Sequence, residues 1–200
     1  MDSSALKPNA TRTVPPIIEL TKLVVARALF SGATVIDGTV GNGHDTLFLA
    51  QHVGEGGQVF GFDVQRQAIE NTRGLLRQSG MEQRVTLFLA GHERMKDLLP
   101  DDAKVDAAMF NLGYLPGSDR KIATTTETTL CALHTLLPLL RIHGIITVHI
   151  YTGHPGGLAE GNAVLDWART LPWEAWRTAS YSFCNKLYNG ETLLLLERLQ

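Results

Sequence analysis

Residues 35–46 read VIDGTVGNGHDT, and this stretch decides the fold. An apolar strand runs into Asp37, a glycine-rich loop follows, and a helical pattern begins near His44. Strand, glycine loop and helix in that order mark an open α/β sheet, whose ligands collect beyond the carboxyl ends of the strands where the strand order reverses. Gly41 and Gly43 allow the loop backbone to turn sharply and approach a ligand closely. Asp37 and Asp45 set two carboxylates around the same crevice.

Working outward, the periodicities alternate. Pro15 and Pro16 can open a helix, since proline suits a first turn, and residues 17–30 carry apolar side chains near one helical face. Strands are expected at 34–37, 58–64, 85–90, 105–110 and 144–151. Helices are expected at 44–53, 65–79, 124–141 and 158–170, the third bent or divided near Pro138. Residues 176–183 and 192–197 read as two further strands joined by a turn containing Asn189-Gly190, a hairpin signal. Alternating strands and helices imply βαβ units, so the expectation is a Rossmann-like α/β fold: a mostly parallel seven-stranded sheet with helices on both faces and a C-terminal antiparallel hairpin. Residues 1–14 are polar and expected to be flexible; residues 15–200 are expected to form a single domain.

Composition narrows the classes. The chain has 200 residues, 44% hydrophobic and 19% charged, as in an ordinary globule. Eighteen Lys and Arg against twenty Asp and Glu give a net charge of −2. That balance lacks the global basic signature of a protein gripping a long duplex, but leaves room for a local patch and a short RNA target. The two cysteines, Cys131 and Cys184, are not spaced as a metal or redox site. Apolar neighbours suggest that Cys131 is a buried packing thiol. The first ten residues hold no apolar signal core, and no apolar run reaches membrane-spanning length; a cytoplasmic location is expected, with no membrane and no metal.

The loop chemistry separates two cofactors. A dinucleotide fingerprint needs G-x-G-x-x-G; Gly41 and Gly43 fit, but the third position is Thr46. A diphosphate favours an unobstructed helix N-terminus, where Asp45 would repel it. S-adenosylmethionine carries no phosphate and has a cationic sulfonium and an amino group, which suit a carboxylate-lined loop. Asp63 ends the second expected strand and reads either as a ribose-hydroxyl acceptor or as a cap on the next helix. Gly91 and His92 follow the third strand, where they either flank an adenine or are ordinary loop residues.

The fourth strand runs into Asn111-Leu112-Gly113-Tyr114-Leu115-Pro116-Gly117. This segment resembles the Asn/Asp-Pro-Pro-Tyr/Phe motif of methyltransferases that act on planar or amino nitrogens, with Leu112 and Gly113 in place of the two prolines. The alternative is a simple turn. Methyl transfer from a sulfonium is an in-line displacement, governed by geometry. The Asn111 side-chain oxygen and a following carbonyl can accept N–H bonds and aim a neutral nitrogen, while Tyr114 can wall the pocket or stack on a base. Pyrimidine C5 methylation commonly uses a cysteine in this region; none occurs between Asn111 and Arg120.

Together, VIDGTVGNGHDTLFLA, GFDVQ, GHE and NLGYLPGSDRKIATTTETT resemble the small bacterial and plastid methyltransferases long labelled rRNA methylases and now assigned as tRNA 5-aminomethyl-2-thiouridine methyltransferases. The resemblance spans residues 17–198. It implies a class I S-adenosylmethionine-dependent fold and methylation of the aminomethyl nitrogen of a modified uridine at tRNA wobble position 34, with the anticodon stem-loop as partner. It places Asp37, Thr39, Gly41, Asn42, Gly43, Asp45 and Thr46 in the cofactor loop, Asp63 and Gln65 on the ribose side, and Gly91 and His92 beside adenine. Asn111, Gly113 and Tyr114 border the transferred methyl. Ser118, Asp119, Arg120, Lys121 and Thr125 face the RNA, with Arg120 and Lys121 either contacting phosphates or simply solvated. His149 and His154 are either substrate-side groups or neutral loop histidines. Another RNA, such as rRNA, another amine, a nicotinamide-dependent oxidoreductase and a non-catalytic RNA-binding protein are the competing readings. The oligomeric state, a homodimer included, is left open.

Overall fold

The computed structural model describes residues 13–115, 117, 122–186 and 190–200. The terminal stretch expected to be flexible therefore lies outside the described residues through position 12, as does Asn189 of the expected turn.

Seven strands form one sheet: β1 (Thr34–Asp37), β2 (Gln58–Asp63), β3 (Val85–Leu89), β4 (Val105–Asn111), β5 (Leu140–Tyr151), β6 (Trp176–Ser182) and β7 (Glu191–Arg198). Their order is β3-β2-β1-β4-β5-β7-β6. The first five run parallel, while β7 pairs antiparallel with both β5 and β6. The helices are α1 (Ile17–Ala28), α2 (His44–His52), α3 (Arg66–Gln78), α4 (Met95–Leu98), α5 (Thr126–Leu139) and α6 (Gly157–Arg169). The parallel sheet and antiparallel C-terminal hairpin expected from the periodicities are both present.

Two cores explain why the central strands read as continuous apolar runs. Successive side chains of a strand point to opposite faces. Val35, Ala107 and Met109 pack with Val25 of α1, Leu49 of α2 and Leu76 of α3. Ile36, Ala108 and Phe110 pack on the other face with Leu133 and Leu136 of α5 and Val164 of α6. A strand covered on both faces needs no polar alternation.

Three local expectations need correction. The helix expected over 124–141 stops at Leu139: Pro138 sits in the last turn of α5, and the chain enters β5 at Leu140. Proline lacks the N–H and crowds the preceding turn, so ending the helix there avoids a kink. β5 accordingly starts four residues before Gly144. Its early part is irregular, with Val105 opposite Leu140 but Ala107 opposite Ile145, and His143 at φ 64. The nearly buried Asp106 fixes that corner, accepting from the Thr34 N–H at 2.8 Å and pairing with Arg141 at 3.4 Å. Cys131 is exposed, not buried; its neighbours Ala132 and Leu133 face the core, and the helical rotation turns Cys131 outward.

Candidate functional site

The strand order reverses between β1 and β4, and the loops leaving β1, β2, β3 and β4 enclose a crevice of about 520 Å³ there. That volume lies within the ~300–1,000 Å³ usual for small-molecule sites.

Below the crevice, Asp37 ends β1 fully buried. One oxygen accepts the Thr39 N–H at 3.1 Å and the other the Thr46 hydroxyl at 2.6 Å, so Asp37 ties the glycine loop to α2 and is a brace. Burial, reinforced by the charge of Asp45, pushes its carboxyl up to about 7. Gly38 has no room for a side chain, since a Cβ would lie 2.2 Å from the Phe110 ring. Gly43 is left-handed at φ 83, and its Cβ would lie 2.6 Å from the Thr72 hydroxyl. Asp37, Gly43 and Thr46 thus support the loop from beneath, while Thr39, Gly41, Asn42 and Asp45 line the crevice.

Asp63 ends β2 with one oxygen on the Gly41 N–H at 2.9 Å and the other on the Gln65 N–H at 2.8 Å. Its carboxylate joins the β1 and β2 loops at the crevice wall, with Gln65 beside it. Gly91 and His92 also line the crevice. His92 Nδ1 lies 2.9 Å from the Gly38 carbonyl, which can only accept, so Nδ1 carries the proton. Burial holds the ring's pKa below the usual histidine range, and Nε2 is buried without a partner among the described residues. His92 is therefore a neutral strut between the β3 and β1 loops.

Asn111 ends β4 beside the glycine loop. Its N–H donates to the Thr39 hydroxyl at 2.7 Å, and its Nδ2 donates to Asp45 at 2.9 Å. Lys22 of α1 approaches the other Asp45 oxygen at 3.4 Å. The chain then folds back on itself: the Gly113 N–H donates to the Thr124 hydroxyl, the Thr124 N–H to the Gly113 carbonyl, and Tyr114 bridges Ala123. Tyr114 and Gly113 line the crevice, as does Thr125. Thr125 also caps α5 through a reciprocal bond pair with Thr128. Ser118, Asp119, Arg120 and Lys121 lie outside the described residues.

Several residues at the site carry no local signal. Lys22 sits on a helix readable only as amphipathic. Glu160 of α6 is buried and accepts from Thr124 at 2.9 Å and Thr129 at 2.6 Å, clamping the base of the 113–124 fold-back. His149 and His154 do not line the crevice. His149 is buried within β5, between Tyr151 at 2.9 Å and Glu191 at 3.1 Å, and burial lowers its pKa. His154 packs edge-on under Tyr114. Among the described residues, no group of His, Cys, Asp and Glu is arranged to hold a metal, and no helix is long and apolar enough to cross a membrane.

The donor set favours a cationic ligand without phosphate. Asp45, Asp63 and Glu93 line the crevice with Lys22 as the basic counterpart, and Asp45 occupies the first turn of α2, where a diphosphate would otherwise bind. Sheet order, C-terminal hairpin and acidic glycine loop define the Rossmann-like class I S-adenosylmethionine-dependent methyltransferase fold. Residues 59–197 match the family model described as "Putative rRNA methylase", and the chain belongs to that family. It is 38% identical over 176 residues to the "tRNA (mnm(5)s(2)U34)-methyltransferase, chloroplastic" of Arabidopsis thaliana, covering 84% of this chain and 64% of the plant protein's length. A Clostridium thermocellum structure described as a putative rRNA-methylase superposes with a TM-score of 0.90 at 38% identity, covering 94% of this chain and all of the other. A Streptococcus mutans structure described as a putative methyltransferase in complex with SAH gives 0.85 at 33% identity, covering 93% and 99%.

Proposed function

We propose that this chain is an S-adenosylmethionine-dependent N-methyltransferase acting on the aminomethyl group of 5-aminomethyl-2-thiouridine at tRNA wobble position 34, with residues 15–200 as one catalytic unit. The observation that carries the reading is Asn111, set in the crevice wall at the end of β4 and bonded to Asp45 of the acidic glycine loop.

Asp63 would hold the ribose hydroxyls, with Thr39, Gly41, Asn42 and Gln65 around the cofactor and Gly91 beside its base. When bound, the cofactor would supply a methyl group on a sulfonium sulfur, with that sulfur as the leaving group that takes the bonding pair. The substrate nitrogen must be neutral, with its lone pair directed at that methyl. The Asn111 oxygen accepts one N–H, and a carbonyl of the following loop a second, which leaves the lone pair free to attack. Tyr114 walls the pocket against water. The alkylated nitrogen then loses its extra proton to solvent. The anticodon stem-loop lies across the rim that includes Thr125, and the compartment is that of the tRNA, the cytoplasm.

The test uses labelled cofactor with tRNA from cells lacking the modification, followed by nucleoside mass spectrometry. Label in 5-methylaminomethyl-2-thiouridine is expected. Because the family description names rRNA, ribosomal RNA forms a second arm. Label there alone, or in another tRNA base, overturns the substrate. No transfer by protein that binds SAH overturns the activity.

A further inference from the structure

We infer that Asp45 is a positioning residue that locks the Asn111 amide with its oxygen towards the crevice, and that Lys22 supplies the countercharge holding Asp45 in place. This rests on the methyl-transfer reading of the crevice.

An asparagine amide presents an oxygen on one side and a nitrogen on the other, nearly equal in size, so sterics alone do not choose between its two flips. The consequences for chemistry differ. With the oxygen outward, Asn111 accepts a hydrogen from the substrate amine and leaves the lone pair free. With the nitrogen outward, Asn111 donates a hydrogen to the very lone pair that must attack. The wrong flip is inhibitory.

Asp45 settles the choice. An ionised carboxylate only accepts, so the atom 2.9 Å from Asp45 Oδ2 is the Asn111 nitrogen. The Asn111 backbone is already fixed by its N–H bond to Thr39 and by pairing with His149 of β5. Only the amide rotation is left to determine. The second Asp45 oxygen faces Lys22 Nζ at 3.4 Å, with side-chain exposures of 20% for Asp45 and 33% for Lys22, so the pair is shielded more than a surface ion pair. The first turn of α2 adds the favourable end of a helix dipole. Both carboxylate oxygens have partners within the protein, and on this inference Asp45 is assigned to positioning where the sequence reading expects cofactor binding.

The test combines SAH affinity by calorimetry with single-turnover methyl transfer to unmodified tRNA. Asp45→Asn keeps the shape but can present either face to Asn111. It should slow transfer roughly 10–100-fold, the size of a lost charge-assisted bond, and weaken SAH affinity by a much smaller factor. Asn111→Asp places two carboxylates side by side and should be nearly inactive. The swapped double variant, Asp45→Asn with Asn111→Asp, lets residue 45 donate and returns an acceptor oxygen to the crevice. It should recover at least ~10-fold over Asn111→Asp alone. Lys22→Gln, on the rim, should reproduce the Asp45→Asn pattern at smaller size. Transfer at the wild-type rate by Asp45→Asn overturns the inference. So does an SAH affinity weakened by the same factor as transfer, which would make Asp45 a cofactor ligand. A swapped variant that binds SAH without recovering also overturns it. Failure of the wild-type protein to bind SAH or transfer methyl instead removes the reading of the crevice beneath it.

Discussion

At the scale of single residues, the site divides into groups that touch reactants and groups that hold them. On the proposed function, Asn111 belongs to the first kind. Asn111→Ala removes the acceptor without disturbing the Thr39 bond, which is made by the backbone. Single-turnover transfer should fall by ~10²–10³, the usual loss for one preorganised partner of a reacting group, while SAH affinity changes little. Normal transfer by this variant would remove the orienting role. Asp37 belongs to the second kind, and it makes the site pH-sensitive. Its folded pKa, about 7, lies above the ordinary 3.8 because burial and Asp45 disfavour its charge. Between those values the folded chain binds more protons than the unfolded one, so the contribution of this group to stability is greatest below pH 4 and is lost as pH rises through 7. A cation in the crevice favours the ionised form. Binding of S-adenosylmethionine should therefore release a proton near pH 7 and tighten from pH 6 to pH 8, more than binding of SAH, which lacks the sulfonium charge. Calorimetry in buffers of different ionisation enthalpy measures this directly; equal proton release for both ligands would contradict it.

Among the elements, the start of α5 shows how one residue type serves two ends. Thr125 lies on the crevice rim, where RNA contact is expected, yet its hydroxyl accepts the Thr128 N–H at 3.3 Å while the Thr128 hydroxyl accepts the Thr125 N–H at 3.2 Å. This reciprocal cap satisfies donors that a helix N-terminus leaves free. Thr125→Ala should cost about 1 kcal/mol in urea denaturation. If Thr125 also contacts RNA, KM for tRNA rises with the stability loss. If only stability changes, the residue caps and nothing more. The neighbouring fold-back draws on a third element, α6, because Glu160 reaches Gly113 through Thr124.

For the molecule as a whole, the crevice is a property of the sheet. Four loops from the same end of β1 to β4 must meet, and each is held by a different part of two cores. A ligand bridging them stabilises the folded state by mass action. SAH at about 100 times its Kd should add ~2.7 kcal/mol to the unfolding free energy, measured by denaturant titration. NAD should add nothing, because Asp45 stands where its diphosphate would sit. Stabilisation by NAD alone would return the chain to the oxidoreductase reading.

Much of this was legible in the sequence, and the reason is locality. Strand and helix positions follow from periodicity within a few residues, and the glycine loop, Asp63 and Asn111 each end an apolar strand that places them at one edge of an α/β sheet. The α5–β5 boundary escaped because a proline-bearing helix that bends and one that stops have the same local pattern. Cys131 escaped because apolar neighbours do not fix which side of a helix a residue faces. Only tertiary structure brought Lys22, Asp45 and Asn111 into one chain of contacts, or carried Glu160 to the base of the loop, since Asp45 and Asn111 are 66 positions apart. Their meeting depends on strand order and on the rotation of each helix about its axis, which are set by packing of the two cores and not by any local preference of the chain.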